Sequence, residues 1–251
     1  MADLVYPSVI RTALLSFRAL GMTVDVSGLE NVPASGGAVI ASNHVSYLDF
    51  VFAGLPPWQA NRRLTRFMAK DAVFRHRVSG PLMRGMHHIA VDRDAGSASM
   101  RTALRALKDG ELVGLFPEAT ISRSFTVKEL KSGAVRMAAA ARVPIVPMAV
   151  WGGQRMFTKG HPKRFGRGRT ITIAVGAPIT VGTRDDMAAA TENLRSTLQQ
   201  LLDGAQARHP DTSRPGPDAW WLPAHLGGAA PTPDQALTLD EQDRERRPTE
   251  A

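Results

Sequence analysis

The stretch AVIASNHVSYLDF, residues 38–50, changes character halfway along. Ala38 to Ala41 form a short apolar run, the pattern of a buried strand. Ser42, Asn43 and Ser46 are small polar residues of the kind that fit a tight turn. The chain then continues as VSYLDFVFAGL, which reads as a helix entered from that turn. A buried strand feeding a turn and a helix is the building unit of an α/β domain, and the carboxyl end of such a strand is where these domains place chemistry. His44 and Asp49 both fall in this segment.

Outward from this segment the same alternation continues. Phe67 to Ala69 and residues 87–93, HHIAVDR, read as further strands, as do LVGLF at 112–116, VPIVPMAV at 143–150 and TITIAV at 170–175. The prolines of VPIVPMAV favour an edge position or an irregular start. Helices are expected over 97–108, with Met100, Ala103, Leu104 and Leu107 in one stripe and Gly110 as the stop, and over 128–142, with Leu130, Ala134, Met137, Ala138 and Ala141 inward. A longer helix over about 184–202 carries Met187, Thr191, Leu194, Leu198 and Leu201 on its buried face. Thr183 followed by Asp186 resembles a capping box at its start. The expected fold is therefore α/β, a single domain with a central mixed sheet flanked by helices, over residues 23–203.

Two flanking segments stand apart. Residues 1–22 hold an amphipathic helix over 7–20, with Pro7 in its first turn. Val9, Ile10, Ala13, Leu14, Phe17 and Leu20 share one face, and Arg11, Thr12, Ser16 and Arg18 lie largely on the other. It reads either as a first helix packed on the core or as a membrane-proximal helix lying in a bilayer interface. Residues 204–251 are rich in Pro, Gly and Asp, have little periodicity, and read as an extended or partly disordered tail. Trp220 and Trp221 are its main apolar feature, placed either on the body or against lipid headgroups.

Composition narrows the function. The 251 residues include no cysteine, which excludes disulfides, thiolate catalysis and cysteine-based metal sites. The net charge is +8, yet the tail from Gly204 has five Arg and no Lys against eight Asp and Glu, so the body is the more basic part. A basic body points to anionic partners: a phospholipid surface, a phosphorylated substrate or nucleic acid. No recognition helix or stacking sheet is visible for nucleic acid. RMFTKGHPKRFGRGR, 155–169, concentrates six cations with Phe157 and Phe165, as a solvated loop or one facing headgroups. No run reaches the roughly 20 apolar residues of a spanning helix, and no signal-peptide pattern opens the chain.

His44 and Asp49 are five positions apart, and so are His87 and Asp92. With seven histidines in the chain, one accidental match is unsurprising, so spacing alone decides nothing. Geometry separates the pairs. If 87–92 is a strand, five steps at ~3.3 Å hold the side chains roughly 16 Å apart on opposite faces. A continuous helix would separate His44 from Asp49 by a rotation of about 140°. If His44 is the last residue before the helix and Asp49 lies in its first turns, the two converge. Aspartate would then fix the imidazole tautomer and raise its basicity, and the other ring nitrogen could take a proton from a hydroxyl. Ser46 lacks the G-x-S-x-G setting of a nucleophilic serine.

NHVSYLD resembles the His-x4-Asp motif of the glycerolipid acyltransferase family, in the branch holding the bacterial 1-acyl-sn-glycerol-3-phosphate acyltransferases. Further blocks follow in that family's order: AVDRD at 90–94, LFPEATIS at 115–122, LKSGA at 130–134 and VPIVPMAV at 143–150. The resemblance implies direct transfer of a fatty acyl group, with His44 and Asp49 catalytic and no acyl-enzyme. The donor would be acyl-CoA or acyl carrier protein, with no cofactor and no metal. The acceptor would be the free hydroxyl of 1-acyl-glycerol-3-phosphate, giving phosphatidic acid in phospholipid biosynthesis. The substrate-binding positions would be Arg93, Glu118, Ala119, Thr120 and Lys131, with Arg93 and Lys131 as phosphate contacts. The implied setting is peripheral, on an anionic membrane surface at the cytoplasmic face. Two departures matter: Ala119 stands where the family has glycine, and Ile121 where it has arginine. They leave room for another lysophospholipid or glycerol 3-phosphate as acceptor, or for a catalytically silent lipid-binding protein on the same fold.

Overall fold

The strand Ala38–Ser42 is buried at every position, as only the middle of a sheet covered on both faces allows. A computed structural model describes residues 5–92, 96–212 and 219–246. In chain order the elements begin with α1 (Val5–Ala19), β1 (Thr23–Ser27), β2 (Ala38–Ser42), α2 (Asp49–Ala53), α3 (Leu55–Asn61), β3 (Thr65–Lys70), α4 (Asp71–Arg75), α5 (Ser79–Gly85) and β4 (Ile89–Val91). There follow α6 (Gly96–Lys108), β5 (Leu112–Leu115), α7 (Gly133–Ala141), β6 (Ile145–Trp151), β7 (Thr170–Val175), α8 (Met187–Arg208) and α9 (Pro233–Glu245).

The seven strands form one mixed sheet in the order β1-β7-β6-β2-β5-β3-β4. All neighbouring pairs are parallel except β6 with β7. The strand pleat sorts the core into two halves. Ala38 and Ile40 of β2 face a cluster with Tyr6, Ile10, Phe52, Leu55, Phe67 and Phe74, the layer of α1 to α5. Val39 and Ala41 face the other cluster with Leu107, Met137, Leu194 and Leu198, the layer of α6 to α8. After β2 the chain lays β3 and then β4 on one side and returns to insert β5 between β2 and β3. It then crosses to the other side of β2 for β6. The loop leaving β2 therefore sits at the point where the winding reverses, the general position of ligand sites in open α/β sheets.

Several expectations are corrected. The run VPIVPMAV is a central strand, not an edge: β6 is buried throughout, between β2 and β7. Pro147 is tolerated because its ladder position faces the end of β7. There Gly176 donates to its carbonyl at 2.9 Å and the β6–β7 pairing begins only at Met148. The strand expected over 87–93 is confined to Ile89–Val91, and His87 precedes it with a left-handed φ of 54°. The helix expected from 128 begins at Gly133, because the amides of Lys128 and Lys131 are taken by Glu118 and by the Pro117 carbonyl. Helix α8 is capped by Asp186 itself, whose carboxylate accepts from the Ala188 amide at 2.8 Å, and it runs on to Arg208. β1, an edge strand of half-buried residues, had no apolar run to announce it. The segment beyond Gly204, expected to be extended, contains α9, which starts with a full Thr232–Gln235 capping box.

The N-terminal helix packs on the core through Tyr6 and Ile10 and presents Arg11, Leu15 and Arg18 outward, with Leu15 66% exposed. Trp221 is buried against Trp151 and under the Arg155 guanidinium, and Trp220 stacks on His161 at 3.9 Å, so both tryptophans pack on the body. Among the described residues no helix is long and apolar enough to cross a membrane.

Candidate active site

Asn43 anchors the turn after β2. Its amide donates to the Val150 carbonyl at 3.1 Å and its carbonyl accepts from the Val150 amide at 2.7 Å, tying the end of β2 to β6. The chain then folds over residues 44–48 and enters α2 at Asp49. His44 is thus outside the helix and Asp49 is its first residue, and the side chains meet: Nδ1 of His44 lies 3.0 Å from Oδ2 of Asp49. The same oxygen accepts from the amides of Val45 and Ser46, both at 2.7 Å. Three donors on one oxygen stabilise the ionised carboxylate. Full burial pushes the Asp49 carboxyl up against that pull, and the net position is above the ordinary carboxylate range.

With Nδ1 turned to a carboxylate, the imidazole proton sits on Nδ1 and Nε2 is left as the basic nitrogen. The ring lies flat on Phe116, with centroids 4.2 Å apart and planes 18° apart. Phe116 is itself stacked on Phe67 at 6.0 Å. A Cβ on Gly114 would lie 2.6 Å from the Phe67 ring, so glycine on β5 is what lets this stack form. The imidazole side chain is 19% exposed and Asp49 not at all, so the orienting acid is sealed and the base faces outward.

Glu118 locks the turn after β5 onto the turn after β2. Its Oε1 accepts from the His44 amide at 2.7 Å and its Oε2 from the Lys128 amide at 3.1 Å. Ser122 returns a bond, its amide donating to the His44 carbonyl at 2.7 Å. Burial pushes the Glu118 carboxyl up to about 8, against the pull of these amides and of Lys128. A third strand end contributes as well. Ser46 Oγ and the Tyr47 amide donate to the Phe157 carbonyl at 2.7 and 3.0 Å, and Thr158 Oγ1 donates to the Val45 carbonyl at 2.6 Å. The loop after β6, with its dense cations, is therefore partly a buttress of the histidine turn.

The other expected site residues divide. Ala119 is exposed and adopts a left-handed φ of 59°, a conformation glycine takes without strain. Thr120 is half-buried, Lys131 is exposed, and Ile121 is 4% exposed, an apolar plug rather than a cation. Arg93 lies outside the described residues. His87 and Asp92 are exposed at opposite ends of β4. Phe116 stood inside a motif block without a role of its own, Phe157 stood out only as part of the cationic segment 155–169, and Thr158 gave no local signal, since the contacts of both are with residues about 110 positions earlier.

A buried carboxylate behind a partly exposed imidazole, at the carboxyl end of a central strand, is an arrangement that can act as a general base. Comparisons with known proteins agree with this chemistry. The family model described as Acyltransferase matches residues 23–151. The 1-acyl-sn-glycerol-3-phosphate acyltransferase of Bacillus subtilis (strain 168) is 32% identical over 190 residues, covering 71% of this chain and 87% of that protein. The protein of the same name from Borreliella burgdorferi is 25% identical over 195 residues, covering 75% and 73%. The crystal structure of the 1-acyl-sn-glycerophosphate (LPA) acyltransferase PlsC from Thermotoga maritima superposes with a TM-score of 0.66 over 80% of each chain at 20% identity, which bears on the fold.

Proposed function

From the premise that the chain belongs to the acyltransferase family, we propose that it transfers a fatty acyl group to the free hydroxyl of 1-acyl-glycerol-3-phosphate, giving phosphatidic acid. The observation that carries this reading is the 3.0 Å contact of His44 Nδ1 with the buried Asp49 carboxylate. Nε2 of His44 takes the hydroxyl proton as the oxygen attacks the carbonyl carbon of an acyl thioester. The tetrahedral adduct collapses, the C–S bond breaks, and the imidazolium returns its proton to the departing thiolate. Ester and thiol leave, and the histidine is restored without an acyl-enzyme. The donor is acyl-CoA or acyl carrier protein. Arg93 and Lys131 contact the acceptor phosphate, and Glu118, Ala119 and Thr120 shape the acceptor side of the site.

The enzyme works as a peripheral protein on an anionic membrane surface, at the cytoplasmic face. The outward stripe Arg11, Leu15 and Arg18 on α1 supports this, together with Val78, 70% exposed, and Leu82, 44% exposed, in the same layer.

The test is acyl transfer from radiolabelled acyl-CoA to lysophosphatidate by the purified protein. His44→Ala should abolish product, and full activity in that variant overturns the mechanism. A second reading rests on Ile121: a buried aliphatic where the family has a cation favours another lysophospholipid or glycerol 3-phosphate as acceptor. A screen of acceptors against the wild type and Ile121→Arg separates the two, since a gain on lysophosphatidate in the variant assigns the native acceptor elsewhere. Vesicle binding with no turnover on any acceptor would instead mark a silent lipid-binding protein.

A further inference from the structure

Three cations converge beside the histidine turn from two different loops. Arg123 and Lys128 stand in the loop after Glu118, and Lys159 in the loop after β6. Each is fixed by a bond that also fixes the turn. Ser122, next to Arg123, donates its amide to the His44 carbonyl; Lys128 donates its own amide to Glu118; Thr158, next to Lys159, donates to the Val45 carbonyl. Three cations this close repel one another unless anions lie among them. In this structure the anions come from α9. Asp243 Oδ2 is 2.5 Å from Arg123 and 2.9 Å from Lys159. Asp240 Oδ1 is 2.7 Å from Lys159 and 3.5 Å from Arg123 Nε, and Lys128 grips its other oxygen.

The helix that brings these carboxylates is held by little else. Along α9 only Ala236, Leu239, Asp240 and Asp243 escape full exposure, a single stripe that is half acidic. Neither Ala236 nor Leu239 belongs to the two apolar clusters of the core, and Leu237 is 51% exposed. The chain just before it is anchored differently: Trp221, Leu222 and Ala230 are buried in the core. α9 is thus a tethered helix docked through charge. The fit is also incomplete. Two carboxylates face three cations, and the buried Nε of Arg123 finds no hydrogen-bond acceptor among the described residues. The cations nonetheless hold Asp243 down to about 2, and Lys128 and Lys159 outweigh the burial that pushes Asp240 up.

We propose that Arg123, Lys128 and Lys159 form an anion site for a phosphate monoester, and that α9 fills it with Asp240 and Asp243 until such a ligand displaces the helix. A phosphate monoester carries nearly two charges on three terminal oxygens, enough to satisfy all three cations and the Arg123 Nε at once. The acceptor of the reaction proposed above is such a monoester, so its identity as ligand rests on that reading, with these three cations holding its phosphate in place of Arg93 and Lys131, while the site itself does not. α9 then acts as a competitor at the high effective concentration of a tether, and it lowers the apparent affinity for the acceptor by the fraction of chains in which it is docked.

Hydrogen–deuterium exchange of the full-length protein tests this without turnover. Titration with sn-glycerol 3-phosphate should speed exchange of the α9 amides roughly tenfold at saturation, whereas glycerol should not. Lysophosphatidate in neutral phosphatidylcholine vesicles, compared with those vesicles alone, tells whether a membrane-borne headgroup does the same. Lys128→Met with Lys159→Met should abolish the response, and Asp240→Asn with Asp243→Asn should free α9 without ligand and lower the acceptor KM roughly tenfold. Unchanged α9 exchange with both phosphate probes overturns the proposal, whether or not the aspartate variant folds. A phosphate response in a protein that acylates no lysophosphatidate keeps the site and refutes the acceptor. Turnover with neither response nor KM change keeps the acceptor and refutes the site.

Discussion

Replacing Asp49 by Asn isolates what the buried carboxylate does. Asp49 Oδ2 takes the His44 imidazole at 3.0 Å and two backbone amides at 2.7 Å, while Oδ1 is buried without a partner among the described residues. An asparagine keeps all three donors only by placing its carbonyl oxygen at the Oδ2 position. Its NH₂ then lands where Oδ1 was, with nothing to accept it, at a cost of about 1–3 kcal/mol. Part of that is offset because the carboxylate's burial penalty disappears. A melting-temperature loss of roughly 2–10 °C follows for a chain of this size. The kinetic effect is larger. As the hydroxyl proton moves to Nε2 the imidazole becomes a cation, and a charge at contact range under an effective dielectric near 20 is worth about 4 kcal/mol. Losing it lowers kcat by about 10²–10³-fold, within the range general-base catalysis supplies. The acceptor KM should stay within about threefold, because Asp49 is sealed and touches no substrate. Steady-state kinetics with varied acceptor, beside a circular-dichroism melt, measures both. A folded variant with kcat reduced less than about fivefold would refute the assignment of Asp49 as the orienter.

Three further outcomes follow from single contacts. Ala119→Gly should stabilise the protein by about 0.5–1 kcal/mol, seen as a melting temperature raised by a few degrees. It removes about 1–2 kcal/mol of left-handed strain at φ 59°, and added freedom in the unfolded chain returns about half of that; a lower melting temperature contradicts this. Glu118 has its folded-state carboxyl raised from the ordinary 4.5 to about 8, so the stability it contributes is complete below about pH 4.5 and is lost as pH rises through 8. Between pH 5 and 8 the wild type should therefore lose on the order of a few kcal/mol relative to Glu118→Gln, and parallel melting curves would show that Glu118 is ionised throughout. Asp186→Ala should cost about 1 kcal/mol by thermal denaturation while Thr183→Ala changes little, because only Asp186 accepts from the first turn of α8.

What the sequence made legible is what is encoded within one turn of chain. The strand, turn and helix over 38–50 were readable because apolar spacing, small turn residues and a first-turn acid lie in one short window, and the geometry of the histidine and aspartate followed from that order. The starts of the helices that were read fell within a few residues, and the largest error, at α7, has a tertiary cause: bonds to other segments took the backbone groups a helix would have used. Lys128 and Lys131 gave their amides to Glu118 and Pro117, so α7 begins later than its apolar stripe suggests. The central position of β6 was hidden because the tolerance of Pro147 depends on where β7 ends, about thirty residues away. α9 was hidden by composition, since a helix docked by carboxylates lacks the apolar stripe that announces one docked by leucines.

The same distinction explains why ordered motifs said more than spacing did. His44 and Asp49 share a spacing with His87 and Asp92, and the local order of strand, turn and helix brings only the first pair within reach, without saying what holds its turn in place. That hold comes from Glu118, 74 residues beyond His44, whose two oxygens accept from the His44 and Lys128 amides. A carboxyl group buried that deeply needs partners such as these amides for its oxygens. Its presence at the end of β5 is therefore informative about the turn at the end of β2, and the two blocks are physically one unit. By that logic the loop after β6 belongs to the unit as well. Thr158 and the Phe157 carbonyl hold the same turn, and Lys159 follows them directly. The cations that α9 covers are therefore set by the same backbone bonds that set His44. A shift of that turn large enough to spoil the His44–Asp49 contact would also pull apart the three cations.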